Sequence, residues 1–141
     1  MTVDLGFTGT QKGLTNPQST VLVSTLTAAF VGGSEWLHHG DCIGGDAIAH
    51  AIWKELGGKV WLHPPTDDSR RAFCVGWDVS SEPGEYLLRN QQIVNACRLL
   101  VGCPSSMSET LRSGTWSTWR YAVKRHKAWL LILPDGSARI S

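Results

Sequence analysis

The stretch 35–62, EWLHHGDCIGGDAIAHAIWKELGGKVWL, contains the pattern that decides the fold. Its first residues, 35–38, include the apolar Trp36 and Leu37 and predict a short strand, and the glycine-containing segment 39–45 predicts the loop that follows. Apolar positions at helical spacing predict a helix over 46–56, which glycines end before a second strand at 59–62. A strand, a helix and a strand in this order are typical of a βαβ unit with parallel strands.

The same alternation of strands and helices continues on both sides of this unit. The sequence predicts five strands, at 3–8, 35–38, 59–62, 98–102 and 128–133. It predicts four helices, at 18–30 (after an Asn16-Pro17 start), 46–56, 85–97 and 114–125. The strands are continuous apolar runs, which indicates a parallel sheet covered on both faces. We therefore expect one doubly wound α/β domain over residues 1–141.

One long polar segment interrupts this pattern. Residues 66–83 contain proline and glycine and have no clear period, so we expect a functional loop there. Arg70 and Arg71 within it either close over an anionic ligand or remain solvated.

Composition limits the classes of partner. The chain has 13 Lys and Arg against 12 Asp and Glu, a net charge of +1, so no overall field attracts it to nucleic acid, which we expect is not a partner. No apolar run is long enough to span a membrane, and the start has no basic region of a signal peptide.

The four cysteines, Cys42, Cys74, Cys97 and Cys103, show no C-x-x-C spacing. We expect a cytoplasmic protein with reduced thiols.

Two loops lead through glycine directly into a helix, Gly44-Gly45-Asp46 and Ser113-Gly114-Thr115. Both follow strands of a parallel sheet, so both are expected at its carboxyl edge. A helix start offers free backbone N–H groups, and glycine lets a phosphate approach them closely. Arg112, next to the second loop, is either a phosphate clamp or a solvated loop arginine. The chain has no Walker A or G-x-G-x-x-G motif, which disfavours ATP hydrolysis and hydride transfer by NAD.

Several segments resemble motifs of the SLOG superfamily. Residues 40–49, GDCIGGDAIA, are similar to its G-x-x-x-G-A-D-x-x-A segment. Arg89-Asn90-x-x-Ile93 and Ser113-Gly114-Thr115 resemble the R-K-x-x-M and P-G-G-x-G-T-x-x-E motifs of the lonely guy (LOG) phosphoribohydrolases. Residues 6–10 resemble the first strand and turn. The chain resembles the small YspA-like SLOG proteins of bacteria and phages.

This resemblance implies a Rossmann-like three-layer α/β/α fold with a five-stranded parallel sheet, and a nucleotide or nucleotide-derived ligand. Relatives include LOG hydrolases, molybdenum-cofactor carriers, the DNA-processing protein DprA and sensors of defence signals, and they commonly form homodimers or larger homo-oligomers. No cofactor is implied. The expected ligand-binding residues are Thr8, Gly9, Thr10, Gly44, Gly45, Asp46, Arg89, Arg112, Ser113, Gly114 and Thr115.

The chain departs from the hydrolases at one position that matters. Thr118 stands where the LOG motif has its catalytic glutamate, and cleavage of an N-glycosidic bond needs a carboxylate. Asp46 and Glu109 are the first candidate substitutes, and Asp41 and Glu85 are further ones, although Asp46 also suits a helix start electrostatically. The preferred function is therefore binding, as a sensor, carrier or sponge of a nucleotide signal. A nucleotide N-glycosidase is the alternative, and a DprA-like accessory is a weaker one.

A metal site is not expected. His38, His39, Asp41, Cys42 and His50 are close in sequence, but they lack the spacing of a zinc site.

Overall fold

The computed structural model describes residues 3–141, in which a central sheet is flanked by two pairs of helices. The strands are β1 (Leu5–Gly9), β2 (Trp36–His39), β3 (Lys59–Leu62), β4 (Val79–Ser80), β5 (Leu99–Cys103), β6 (Ala128–Ile132) and β7 (Ala138–Ile140). The helices are α1 (Asn16–Ala29), α2 (Gly45–Glu55), α3 (Tyr86–Ala96) and α4 (Gly114–Lys124). The contacts pair α1 with α2 and α3 with α4, so the predicted α/β class with a Rossmann-like sheet is confirmed.

The strand order places a crevice at the middle of the sheet. The order is β4-β3-β2-β1-β5-β6-β7, and every pair is parallel except β6 with β7. The strands β2, β3 and β4 follow one another on one side of β1, and β5, β6 and β7 follow one another on its other side. Connections on the two sides of β1 leave toward opposite faces, which opens a crevice at the carboxyl ends of β1 and β5.

The prediction of five strands was wrong, because the sheet has seven. The additional β4 lies within the predicted loop 66–83 and is only two residues long, too short to show a period. The additional β7 is an exposed antiparallel edge strand after the turn at 134–136, and its sequence, ARI, is not an apolar run. The five predicted strands all occur in the sheet.

Specific side chains fix the ends of the helices to the sheet. Thr15 and Gln18 form a capping box at the start of α1, next to Pro17. The buried Gln18 amide also donates to the carbonyl oxygens of Pro104 (2.7 Å) and Ile132 (2.9 Å), just beyond β5 and at the end of β6. These bonds hold α1 beside the carboxyl edge of the sheet.

The core lies mainly between the sheet and the pair α1 and α2. Phe7 and Trp53 are fully buried there, and the Trp53 indole donates to Lys59 O at 3.0 Å. Gly58 is required, since a Cβ at this position would lie 2.2 Å from the indole nitrogen. Within residues 3–141, no helix is long and apolar enough to cross a membrane.

Candidate functional site

A two-lobed cleft opens at the carboxyl ends of the strands. The first part, which we call the β1 lobe, has a volume of about 730 Å³ and is lined by the turn 9–12, the segments 105–106 and 112–115, and Thr110. The second part, the β3 lobe, has a volume of about 390 Å³ and includes Cys42 and residues 65–67. The two lobes share five lining residues, which are Gln11, Arg70, Tyr86, Arg112 and Gly114.

The start of α4 faces this cleft. Ser113 caps the helix by accepting a hydrogen bond from Trp116 N at 3.2 Å, and residues 113–115 line the β1 lobe. The Tyr86 hydroxyl is packed against Gly114, where a Cβ would lie 1.8 Å from the phenolic oxygen. A glycine is therefore needed at this position, and the first backbone N–H groups of α4 lie at the wall of the cleft.

The start of α2 is closed instead. Gly45 N donates to Thr10 O at 2.8 Å, and a Cβ on Gly45 would lie 2.9 Å from Gly9 Cα. The helix start therefore packs directly on the turn after β1, and none of Gly44, Gly45 and Asp46 lines the cleft. Of the two glycine-preceded helix starts that the sequence indicates, the structure brings only that of α4 to the cleft.

Arg89 lies behind the cleft lining rather than in it. Its side chain is buried, with 2% of the residue exposed. Its Nη1 donates to Gly40 O at 2.5 Å and to His63 O at 3.2 Å, and both terminal nitrogens lie 3.6 Å from Cys42 Sγ. Arg89 thus ties together the chain just beyond β2 and the chain just beyond β3.

Asp46 lies in the same buried region. Its Oδ2 accepts hydrogen bonds from Gly40 N at 3.1 Å and Cys42 N at 3.2 Å. Burial raises the pKa of this carboxyl to about 6, although the Arg89 guanidinium acts in the opposite direction. Among the described residues, neither Asp46 Oδ1 nor Arg89 Nε has a hydrogen-bond partner. In this position Asp46 stabilises the loop that carries Cys42.

The cleft lining is rich in cations. Lys12 lines the β1 lobe, and Arg70 and Arg112 line both lobes. Arg70 donates to Gln11 Oε1 at 2.8 Å, whereas Lys12 and Arg112 form no ion pair within the described part of the chain. Arg71, next in sequence, instead pairs with the buried Asp41 at 2.7 Å. Only the first of the two adjacent arginines therefore reaches the cleft.

Carboxylates are scarce in the cleft. Asp67 is the one acidic residue among the lining residues in the range 3–141. Glu109 lies outside the lining and pairs with Arg120 at 2.8 Å. Thr118 is 1% exposed, and its hydroxyl donates back to Gly114 O at 2.8 Å. A buried hydroxyl therefore stands where the motif resemblance would place a glutamate.

The expected ligand-binding residues divide into two groups. Gly9, Thr10, Arg112, Ser113, Gly114 and Thr115 line the β1 lobe. Thr8, Gly44, Gly45, Asp46 and Arg89 do not line either lobe. The expected set omits twelve of the described residues that line the two lobes, among them Gln11, Lys12, Asp67 and Tyr86. Gln11 and Lys12 lie in the loop after β1, and Asp67 lies in the loop after β3. Their positions just beyond the carboxyl ends of strands could therefore have predicted that they line the cleft.

A histidine chain lies near the site. Ligand atoms of His39, His50 and Cys74 lie within 4.8 Å of one another, the spacing that a metal ion needs. However, Asp41 N donates to His39 Nδ1 at 3.0 Å, and burial lowers the pKa of His39, so its one ring proton is on Nε2. That nitrogen then donates to His50 Nδ1 at 2.9 Å, and His50 Nε2 donates to Val75 O at 2.7 Å. His39 Nε2 therefore has no lone pair for a metal, and the chain instead braces the loop around Val75.

Comparisons with known proteins support the fold. No protein-family model and no curated protein sequence matches the chain. The molybdenum cofactor binding protein from the phototrophic bacterium Rippkaea orientalis aligns with a TM-score of 0.71 and 17% identity, over 94% of this chain and 77% of that one.

Two DNA processing proteins also align. DNA processing protein A (DprA) from Streptococcus pneumoniae gives a TM-score of 0.66 and 19% identity, over 92% of this chain and 50% of that one. DNA processing protein A from Helicobacter pylori, whose single-stranded DNA binding mode has been described, aligns with a TM-score of 0.57 and 14% identity. The alignment covers 92% of this chain and 64% of that one. The present chain thus spans about half to two thirds of these two proteins. These likenesses show that the chain has a Rossmann-like fold, in agreement with the fold that the sequence motifs predict.

Proposed function

We propose that the protein binds a nucleotide or nucleotide-derived small molecule in the two-lobed cleft, as a sensor, carrier or sponge of that molecule. One observation carries the proposal: the open start of α4 lies at the same cleft as Lys12 and Arg112, which form no ion pair in the described chain. Backbone N–H groups at a helix start and guanidinium groups are both strong donors to phosphate.

The size of the cleft suits such a ligand. Ligand-binding clefts commonly have volumes of about 300–1,000 Å³, and the β1 lobe falls within this range. The β1 lobe also has hydroxyl groups at Ser105, Ser106 and Thr110, which can donate to phosphate or sugar oxygens. A small-molecule ligand agrees with the R. orientalis protein, which binds a cofactor.

Binding without turnover is favoured because Thr118 replaces the glutamate of the hydrolase motif. Removing a base from a nucleotide needs a carboxylate near the anomeric carbon. Of the sequence candidates, Asp46 is buried behind the lining and Glu109 is paired outside it. The N-glycosidase alternative would therefore depend on Asp67, and release of free base would establish it.

DNA binding is a second candidate. The expectation that nucleic acid is not a partner is not supported, since two of the similar structures are DNA processing proteins. Lys12, Arg70 and Arg112 supply a local cationic surface despite the near-neutral whole chain. Retention of single-stranded DNA that weakens steeply with salt, and that is lost in Arg112→Ala, would support this candidate.

We also propose a homodimer or higher homo-oligomer in the cytoplasm. Leu87 and Leu88 on α3 are 64% and 56% exposed, and association would remove them from water. The four cysteines are free thiols, as a reducing compartment requires. Light scattering at micromolar concentration tests the assembly, and a purely monomeric mass would contradict it.

The principal experiment combines thermal shift with chromatography of the mixture, using mononucleotides, cyclic nucleotides and ADP-ribose-type compounds. We expect at least one anionic compound to raise the Tm and to be recovered intact. Lys12→Ala and Arg112→Ala should each weaken this binding. The control is Lys124→Ala, at the other end of α4. Equal loss in the control would show that the effect is one of overall charge rather than of the cleft.

A further inference from the structure

The two lobes of the cleft differ in chemistry. Apart from the shared residues, the β1 lobe is lined by glycine, hydroxyl groups, Ile43 and Lys12, and it has no carboxylate among its described lining residues. The β3 lobe adds Cys42, Pro65, Thr66 and Asp67, next to the shared Tyr86. Phosphate groups are repelled by a carboxylate, so an anionic ligand is oriented with its phosphate in the β1 lobe and its ring system in the β3 lobe.

Asp67 is held as an ionised acceptor. Its Oδ1 accepts hydrogen bonds from Ser69 N at 3.0 Å and from Ser69 Oγ at 2.6 Å. These bonds lower the pKa of the carboxyl, so it is charged at neutral pH. The other oxygen, Oδ2, has Arg70 Nε at 4.0 Å and keeps lone pairs for a ligand. A charged carboxylate has no proton to donate, so it selects ligands that present donors.

Tyr86 supplies an aromatic surface in the same lobe. Its hydroxyl is fixed against Gly114, and the Arg89 guanidinium lies 5.1 Å from the ring centroid. The residue nevertheless remains 42% exposed and lines both lobes. An aromatic ring held in this way is suited to stack on a planar heterocycle.

We propose that the β3 lobe selects a 2-amino-4-oxopyrimidine edge, the edge shared by guanine and pterins, with Asp67 accepting from it. This inference rests on the proposed function. In that edge a ring N–H lies next to an exocyclic amine, so two donors face the carboxylate. Adenine presents a ring-nitrogen acceptor beside its amine, and that lone pair would face the carboxylate and repel it. Asp67 is therefore a specificity-determining residue and Tyr86 is the stacking surface.

The test measures Kd by calorimetry for GMP, IMP, AMP and XMP, and for neopterin phosphate. For the unmodified protein we expect GMP to bind at least about tenfold more tightly than AMP, a modest ratio for a site that hydrogen-bonds its ligand. IMP, which lacks the exocyclic amine, should bind less tightly than GMP. Comparable affinity for neopterin phosphate would identify a pterin as a second source of the same edge.

The variant Asp67→Asn gives the decisive comparison. Its amide has one donor and one acceptor, which match the carbonyl and ring N–H of xanthine, so XMP should become the preferred ligand and GMP should weaken about tenfold. Asn caps a helical turn as well as Asp does, so the fold should be retained. The control is Asp68→Asn, in the same turn but outside the lining, which should keep the order of the unmodified protein.

The outcomes separate this inference from the proposed function. If GMP and AMP bind alike, if AMP binds more tightly, or if Asp67→Asn leaves the order unchanged, the role of Asp67 is overturned while nucleotide binding stands. If none of the five compounds binds but a cyclic nucleotide or an ADP-ribose-type compound does, the preference for this edge is overturned and the proposed function stands. If no compound of either set binds, both are overturned.

Discussion

Replacing Arg89 with methionine tests whether this residue acts as a structural brace or contacts a ligand. Methionine keeps much of the length of the side chain but removes the charge and all five N–H donors. Gly40 O and His63 O would lose a charged donor, and Cys42 Sγ would lose its contact with the guanidinium. Asp46 would also lose the guanidinium charge that lowers its pKa.

The magnitude follows from these contacts. Hydrogen bonds to charged groups contribute about 1.5–3 kcal/mol each, and Arg89 donates two of them to carbonyl oxygens. Because these contributions overlap, we expect Arg89→Met to lower the free energy of unfolding by about 4 kcal/mol. Domains of this kind have only about 5–15 kcal/mol in total, so the loss is a large fraction of the stability.

Urea unfolding followed by tryptophan fluorescence is a suitable assay, since the chain has seven tryptophans. The control is Arg112→Met in the cleft, which should change the stability by less than about 0.5 kcal/mol. A loss below about 1 kcal/mol in Arg89→Met, together with a complete loss of ligand binding, would refute the structural role and favour direct contact with the ligand.

Three further predictions concern pH, the start of α4 and zinc. Burial lowers the pKa of His63 to about 4, below its unfolded value of 6.5, which on its own lowers the free energy of unfolding by about 3 kcal/mol as pH drops from 6.5 toward 4. Burial raises the pKa of Asp46 to about 6, which raises the free energy of unfolding by a similar amount over the same range, so the unmodified protein should change little. Urea titrations of Asp46→Asn should therefore reveal the fall due to His63, and a pH-independent stability of this variant would contradict the assignment. Gly114→Ala places a methyl group against the Tyr86 hydroxyl and should lower the Tm and weaken ligand binding. The control is Gly84→Ala, because a Cβ at Gly84 would have its nearest atom at 3.7 Å. Equal effects of the two variants would be inconsistent with the packing. Excess Zn²⁺ should leave no bound metal after buffer exchange, because His39 Nε2 carries a proton; one bound equivalent that is lost in His50→Ala would show that the histidine chain rearranges into a metal site.

The strands and helices of the βαβ core could be predicted because their signals are local. The apolar run at β5 and the Asn16-Pro17 start of α1 each depend on neighbouring residues only. The two missed strands depend on distant partners. β4 is two residues that pair with Trp61 and Leu62, and β7 is an exposed segment that pairs back on β6. Neither contains an apolar pattern of its own.

The site was only partly predictable for the same reason. Gly45 and Gly114 are each the first residue of a helix, and the sequence around them does not show which helix start faces the cleft. Tertiary contacts make the difference. At the start of α2, Gly45 N donates to Thr10 O, whereas the start of α4 packs against the Tyr86 hydroxyl and remains at the wall of the cleft. Likewise, sequence alone does not show that Arg89 donates to two carbonyl oxygens 26 and 49 residues away.

The central claim is that the start of α4, Lys12 and Arg112 together bind the phosphate of a nucleotide. The most direct measurement is calorimetry of GMP with the unmodified protein, with the double variant Lys12→Ala/Arg112→Ala, and with Lys124→Ala. We predict binding that weakens as salt is raised, that falls at least about tenfold in the double variant and that is unchanged in Lys124→Ala. Undiminished binding by the double variant would contradict the account.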